Sequence, residues 1–295
     1  MALSIHTNYS SLVTQTNLSK TNNALGTNQQ RLGTGLRINS AADDAAGLQI
    51  ATRLNAQSRG MAVAMRNTND AVSLLQTAEG AFSEMTDIVQ RMKDLATQGA
   101  NGTNSADDLK SLQAEYDQLG EELANIMDNT SYAGEKLFSK DNTSGKFFSA
   151  VTFQIGSTTA ETMELDLTAA GSDAVQTVTD ALDGMSTVYT AGSAATAGTE
   201  ITGAANATID KVKTALDAIG SLRAQFGATI NRLNHTNNNL ANMKDNTEMA
   251  KGRIMDADFA SESASMTKNS MLLQSGISML KQAGQMPGMV MGLLG

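Results

Sequence analysis

The stretch TNDAVSLLQTAEGAFSEMTDIVQRMKDLA, residues 68–96, decides the fold. Thr68, Ala71, Leu75, Ala78, Phe82, Met85, Val89, Met92 and Ala96 recur at alternating spacings of three and four, which sets them on one seam of a long α-helix. Downstream, Gly99 and Gly102 break the pattern. Asn104-Ser105 then opens a second helix, with apolar positions at Leu109, Leu112, Tyr116, Leu119, Leu123 and Ile126. A third run begins near Ala205 and uses Ile209, Val212, Leu216, Ile219, Phe226, Ile230, Leu233 and Leu240. Arg223 and Asn237 interrupt it, and Leu222 partly covers the first gap. About 45 residues without proline predict a rod of roughly 70 Å. Upstream of the first seam, Ser40-Ala-Ala-Asp43 has the form of a capping box.

Between the second and third helices the periodicity changes from helical to alternating. Val151, Phe153 and Ile155 alternate with Thr152 and Gln154, and Met163, Leu165 and Leu167 with Glu164 and Asp166. Gly156-Ser157 separates the runs, which predicts a β-hairpin with one buried face. Val175, Val178 and Leu182 then predict a short helix, and Thr190–Gly203, rich in Ala, Gly, Ser and Thr, a loop. The predicted fold is mainly α. Long antiparallel helices from both chain halves form a coiled-coil-like bundle, with a small β-hairpin region in the middle.

The two ends carry thinner patterns. Leu18, Leu25 and Leu32 stand a heptad apart in a background of Thr, Asn, Gln and Ser. Met266, Leu273 and Leu280 repeat that spacing near the other end, with Ile277 four residues after Leu273. One large apolar residue per two turns is a narrow stripe, and isolated helices are marginal in water. These seven residues are therefore expected to be polymerisation contacts, ordered only when other copies surround them.

Composition and charge exclude several other classes. Aromatic residues make up 4% of the chain, Trp is absent, and Pro287 is the one proline, a poor composition for a self-contained enzyme core. Without cysteine there is neither a disulfide framework nor a thiolate metal site. The net charge of −9 is carried by the middle, because residues 1–40 contain Lys20, Arg31 and Arg37 and no acid. An acidic middle disfavours nucleic acid as a partner. Met1-Ala-Leu-Ser-Ile-His-Thr-Asn8 has no basic region followed by an apolar run, so no cleaved leader is expected. No stretch approaches the ~20 apolar residues of a membrane span, and the tail with Met286, Met289 and Met291 is too short for an anchor.

Catalytic and cofactor motifs are not found. His6 and His235 lie on opposite arms with no HExxH, so no metal is expected. Gly33-Thr-Gly35 follows no strand and lacks a third glycine, so no dinucleotide cofactor is expected. Asp43-Asp44 and Asp256-Ala-Asp258 each fall at a predicted helix start, where acids are favoured as caps. The expectation is a non-enzyme without cofactors.

The segment Arg31-Leu-Gly-Thr-Gly-Leu-Arg-Ile-Asn-Ser-Ala-Ala-Asp-Asp-Ala-Ala-Gly-Leu-Gln-Ile50 closely resembles the N-terminal signature of bacterial flagellins. Asn67-Thr-Asn-Asp70, Gln76-Thr-Ala-Glu-Gly80, Gln113-Ala-Glu115, Phe226-Gly-Ala, Ala257-Asp-Phe259 and the Leu293-Leu294 ending continue it in order over roughly 1–140 and 205–295. The resemblance implies a structural subunit of the flagellar filament, exported without a leader by the flagellar type III apparatus and extracellular once assembled. It implies an inner tube domain (1–43 and 254–295), an outer helical domain (44–140 and 204–253), and a short insert (141–203) similar to that of minimal or lateral-type flagellins. Implied partners are further copies, the hook–filament junction and cap proteins, and an export chaperone at the C-terminal segment.

Two immune recognition sites are implied as well. Gln90-Arg-Met-Lys-Asp-Leu-Ala-Thr-Gln98 resembles the stretch read by the flagellin-sensing Toll-like receptor, with Arg91, Leu95 and Glu115 at contact positions. Lys93, Asp94 and Thr97 depart from that pattern, and Lys for Arg loses the bidentate fork. Val290, Leu293 and Leu294 resemble the segment sensed by the cytosolic inflammasome receptor, although Gly295 replaces its usual basic end. The nearest alternative is a hook–filament junction protein, which shares the end architecture but lacks the Asp43-Asp44-Ala-Ala-Gly-Leu continuation and the Leu-Leu tail. A metalloprotease insert would need HExxH within 141–203, where no histidine lies. A glycan-bearing display surface on the Ser and Thr of the insert is the third alternative.

Overall fold

The computed structural model describes residues 8–140, 144–168, 173–191 and 198–294, with the side chains of 190–191 and 286–294 outside the description. His6, residues 192–197 of the predicted loop, and the tail side chains of Met286, Met289 and Met291 therefore lie outside the described residues. The elements run α1 (Tyr9–Thr34), α2 (Ala45–Gly99), α3 (Ala106–Asn129), β1 (Ser131–Tyr132), β2 (Glu135–Lys136), β3 (Val151–Gln154), β4 (Thr162–Leu165), α4 (Ala174–Met185), α5 (Thr187–Ala191), α6 (Glu200–Met255) and α7 (Phe259–Leu294). The fold is mainly α, as the periodicity predicts. Two compact units emerge, Met1–Ser58 with Asp245–Gly295, and Arg59–Lys244, so α2 and α6 each contribute to both. These divisions fall inside the two longest helices, about four turns and two and a half turns away from the boundaries at 43/44 and 253/254 that the resemblance implies. Among the described residues no helix is long and apolar enough to cross a membrane.

In the unit 59–244 the seam of α2 is buried throughout, from Thr68 to Ala96, and Leu74 and Leu95 are buried beside it. From α6, Val212, Ala215, Ile219, Leu222, Phe226 and Leu233 enter the same core. Phe82, Phe138, Phe147 and Phe226 meet ring to ring at its centre, with centroids 4.8 Å (Phe82–Phe138), 5.9 Å (Phe82–Phe226), 5.4 Å (Phe138–Phe147) and 5.3 Å (Phe147–Phe226) apart. Most of the chain's seven phenylalanines are thus concentrated in one place. The polar interruptions of α6 are cross-links to α2. Arg223 donates from Nε and Nη2 to one oxygen of Glu79, at 3.2 and 2.7 Å, and Asn237 Nδ2 donates to Asn69 Oδ1 at 2.6 Å.

The helix ends show which local signals operate. Ser105 caps α3 in a reciprocal box with Asp108, as Asn104-Ser105 predicts, and the bonds from the Ser105 hydroxyl and amide hold the Asp108 carboxyl below its usual pKa. Ser40 and Asp43 do form a hydrogen-bonded turn, Asp43 accepting from the Asn39 and Ser40 amides at 3.0 and 2.9 Å. That turn precedes the helix. It is Asp44 that accepts from the Gly47 amide at 2.8 Å and caps α2. The predicted start of the third helix near Ala205 is also adjusted. Glu200–Gly203 are helical, joined to the rest of α6 through a kink at Ala204.

β3 and β4 pair antiparallel, Val151 opposite Leu165 and Phe153 opposite Met163, so the alternating residues form one buried face as predicted. The tiny β1–β2 hairpin has no such alternation and escaped the sequence reading. On α3 the buried face is rotated from the predicted stripe. Leu109, Leu112, Leu119 and Ile126 are half-buried, while Gln113, Asp117, Gly120, Ala124 and Met127 face inward with Tyr116 and Leu123. The reason is α5, which lies close because Gly120 has no side chain. A Cβ there would stand 2.5 Å from Ser186 Oγ.

That rotation buries a polar network. Gln113 Nε2 donates to Asp117 Oδ1 at 2.7 Å and to Glu200 Oε2 at 2.8 Å, while its Oε1 accepts from the Ile201 amide at 2.7 Å. Glu200 Oε1 accepts from the Thr187 amide and hydroxyl at 2.7 and 2.9 Å. Burial alone would raise the Glu200 pKa, but these bonds, the Thr187 amide foremost, bring it below the usual value. Tyr116 donates to the Met185 carbonyl at 2.9 Å, and burial, Glu200 and Asp117 together push its pKa up. Gln113→Leu removes the donor shared by two buried carboxylates and is expected to cost about 3–5 kcal/mol. A group with a lowered folded-state pKa adds stability above its unfolded pKa and loses it as pH falls through the folded one. The loss in Gln113→Leu should therefore be largest at neutral pH and shrink on acidification. Urea titrations across that range check this, and a pH-independent loss would count against the electrostatic reading.

Candidate self-association surface

In the other unit, α1 and α7 run side by side in opposite directions. Asn8 caps α1 by accepting from the Ser11 amide at 3.1 Å, and its own Nδ2 donates to the Ala283 carbonyl at 2.6 Å. Leu18 lies against Gly276, where a Cβ would come within 3.0 Å of Leu18 Cδ1. Asn28 is buried, and in the amide orientation that satisfies both ends it donates to the Ala24 carbonyl at 2.6 Å and accepts from the Met266 amide at 3.1 Å. Arg31 stands 3.6 Å from Glu262. These contacts fix an antiparallel register along the length of the pair.

A backbone clasp closes the end. Gly35, in the left-handed region at φ 72°, terminates α1 by donating its amide to the Arg31 carbonyl at 2.8 Å. The Arg37 amide then donates to the Met255 carbonyl at 2.6 Å, and the Ala257 amide to the Gly35 carbonyl at 2.9 Å. Asp258 accepts from the Ala260 amide at 3.0 Å at the start of α7, so the capping role expected for that acid is the one observed.

Leu18, Leu25, Leu32, Met266, Leu273 and Leu280 are all half-buried, and Leu18 meets α7 of its own chain, whereas Ile277 is 41% exposed. Sequence reasoning missed a second set. Met271 is 60% exposed and Met279 63%, with Leu272 also open on α7 and Leu12 and Val13 on α1. Their sequence signal is that apolar residues of α7 occur all round the helix rather than on one stripe, which marks a helix needing burial on more than one side.

The residues implied as receptor contacts divide. Arg91 on α2 donates from Nε and Nη2 to Glu115 Oε1 on α3, at 2.9 and 2.7 Å, and both side chains are about half exposed. Leu95 is 1% exposed, so it stands beneath that surface as a core residue and is closed to direct contact in this conformation. Val290, Leu293 and Leu294 fall in the last turns of α7, with side chains outside the described residues. Among the described residues no three His, Asp or Glu side chains converge as a metal ion would require.

The family model described as the bacterial flagellin N-terminal helical region matches residues 5–143, and that of the bacterial flagellin C-terminal helical region matches 209–294. Flagellin A of Vibrio anguillarum is 35% identical over 385 aligned positions that span the whole of both chains. Polar flagellin C of Vibrio parahaemolyticus serotype O3:K6 is 34% identical over 390, again spanning both. Set against 295 residues here, 385 positions leave about 90 of the Vibrio anguillarum protein without a counterpart, so this is a short chain of its kind. Among solved structures, a putative flagellar hook-associated protein from Vibrio parahaemolyticus has a TM-score of 0.56 at 14% identity, covering 72% of this chain and 100% of that chain, a likeness of fold alone. With both helical regions matched and full-length relatives in hand, the chain belongs to the bacterial flagellin family.

Proposed function

We propose that copies of this chain join through the α1–α7 pair to build the extracellular filament of the bacterial flagellum. As a flagellin the chain is a structural subunit of that filament and not an enzyme. The observation that carries the assembly reading is the exposed apolar set Met271, Leu272 and Met279 on α7, which nothing among the described residues covers. Two helices bury one face of each, and a helix that is apolar all round gains the rest of its stability only from further copies. In this reading the half-buried row Leu18, Leu25, Leu32, Met266, Leu273 and Leu280 closes the pair, and the exposed row with Ile277 meets neighbouring subunits. Residues 1–43 and 254–295 form the inner tube, 44–140 and 204–253 its outer helical shell, and 141–203 a short insert.

Family membership supports the remaining partners. These are the hook–filament junction and cap proteins, a chaperone at the C-terminal segment, and the flagellar type III export apparatus. Recognition by the flagellin-sensing Toll-like receptor rests on Arg91 and Glu115, with Leu95 as their support, and inflammasome sensing on Val290, Leu293 and Leu294.

Hydrogen exchange on the purified chain before and after polymerisation tests the reading. Amides of 9–34 and 259–285 are expected to exchange fast in the monomer and to gain protection of on the order of a hundredfold or more on assembly. Assembly that leaves exchange in both helices unchanged would exclude them as the joining element.

A further inference from the structure

We propose that Asn101 is a site of spontaneous deamidation and isoaspartate formation, with the Gly102 amide nitrogen as the attacking group. Asn101-Gly102 lies in the turn between α2 and α3, and both residues are exposed. Among the described residues the Asn101 side chain has no hydrogen-bond partner, and neither has the Gly102 amide. Gly102 meets nothing within 4 Å of where a Cβ would stand, so the backbone can turn its nitrogen toward the neighbouring side chain.

Other asparagines near helix ends, each followed by a small residue, are locked at both reacting groups. Asn39 Nδ2 is held by the Leu36 carbonyl at 2.8 Å, and the Ser40 amide by Asp43 at 2.9 Å. Asn104 Nδ2 is held by the Gln98 carbonyl, and the Ser105 amide by Asp108 at 2.9 Å. Asn129 Nδ2 is held by Asn125, and the Thr130 amide by the Ile126 carbonyl at 3.1 Å. In each case the nitrogen that would attack is already donating and the amide that would leave is anchored. Asn101 alone among these four has both groups free.

The reaction needs no enzyme, oxidant or cofactor. The Gly102 nitrogen bonds to Asn101 Cγ and gives up its proton, the Cγ–Nδ2 bond breaks, and ammonia leaves. Water then opens the succinimide at one carbonyl or the other, giving aspartate or isoaspartate. The new charge sits just past the C-terminus of α2, whose last turn carries no basic residue to offset it. Isoaspartate also routes the main chain through the former side chain, which displaces the Asn101 carbonyl that accepts from the Asn104 amide at 3.3 Å. The α2–α3 turn therefore loosens once the product forms. This follows from local geometry and holds whether or not the chain assembles.

The test is timed incubation of the full-length chain in mildly alkaline buffer prepared with heavy-oxygen water, followed by peptide mapping. Asn101 is expected to convert first, with solvent oxygen incorporated and isoaspartate as a product. Gly102→Ala should slow it about tenfold by restricting the backbone. Asp43→Ala, which frees the Ser40 amide, should speed conversion at Asn39 and leave Asn101 unchanged. Conversion at Asn39, Asn104 or Asn129 as fast as at Asn101 would overturn the proposal. So would an Asn101 that stays intact when folded but converts in denaturant.

Discussion

Met271→Asp combined with Met279→Asp is expected to stop polymerisation of the full-length chain while leaving residues 59–244 folded. Both methionines are open to solvent in the single chain, so the substitutions cost little before assembly. Within an apolar contact each carboxylate would be desolvated without a partner. Even on the order of 3 kcal/mol per subunit raises the critical concentration by about a hundredfold. Sedimentation of polymer at rising protein concentration reads that shift. The fold can be checked separately because the chain has no Trp and four Tyr, of which Tyr116, Tyr132 and Tyr189 lie in the unit 59–244. Their near-ultraviolet signal should be unchanged. Normal polymer from the double variant would show that these methionines stay exposed in the filament, whereas Met271→Leu should assemble as the parent does.

Phe82→Ala should produce a large loss of stability. Phe82 is fully buried and touches two other rings, so its removal forfeits side-chain burial, leaves a cavity, and costs about 3–5 kcal/mol. Each lost ring pair adds roughly 0.5–1.5 kcal/mol to what area alone would give. Urea unfolding followed by the tyrosine signal should show a lower midpoint at an unchanged slope. A loss under about 1 kcal/mol would mean that Phe138 and Phe226 repack across the gap.

How legible these features were depends on what each residue had to satisfy. The seam from Thr68 to Ala96 was readable because a single period governs one buried face of one helix. The β3–β4 hairpin was readable for the same reason at period two. The inward face of α3 was not. Gln113 and Asp117 are polar, and periodicity counts apolar residues, so a stripe that buries an amide and a carboxylate is invisible to it. Only Gly120 and Ala124, small residues spaced for close approach, marked the true face. At the ends, the heptads of leucine and methionine showed which residues repeat but not which neighbour they meet. The α1–α7 register depends on Asn8, Asn28 and Arg31, whose partners sit more than two hundred residues away, and no local pattern encodes such a pairing. Leu95 shows the reverse case, where a motif position implied a contact and burial assigned a core role.

Two bonds of the clasp joining Gly35 and Arg37 to Met255 and Ala257 run between main-chain atoms, and the Arg37 side chain adds a third by donating from Nη2 to the Ile254 carbonyl at 2.9 Å. A lineage drifting under selection can therefore exchange the side chains at Leu36 or Ala257 without cutting the two main-chain bonds, because every amino acid but one supplies the same amide. Proline is the exception, since it has no N–H to give. The tolerance of this joint to mutation at Ala257 should thus look like a broad licence with one letter withheld, a pattern that a saturation library there would display directly.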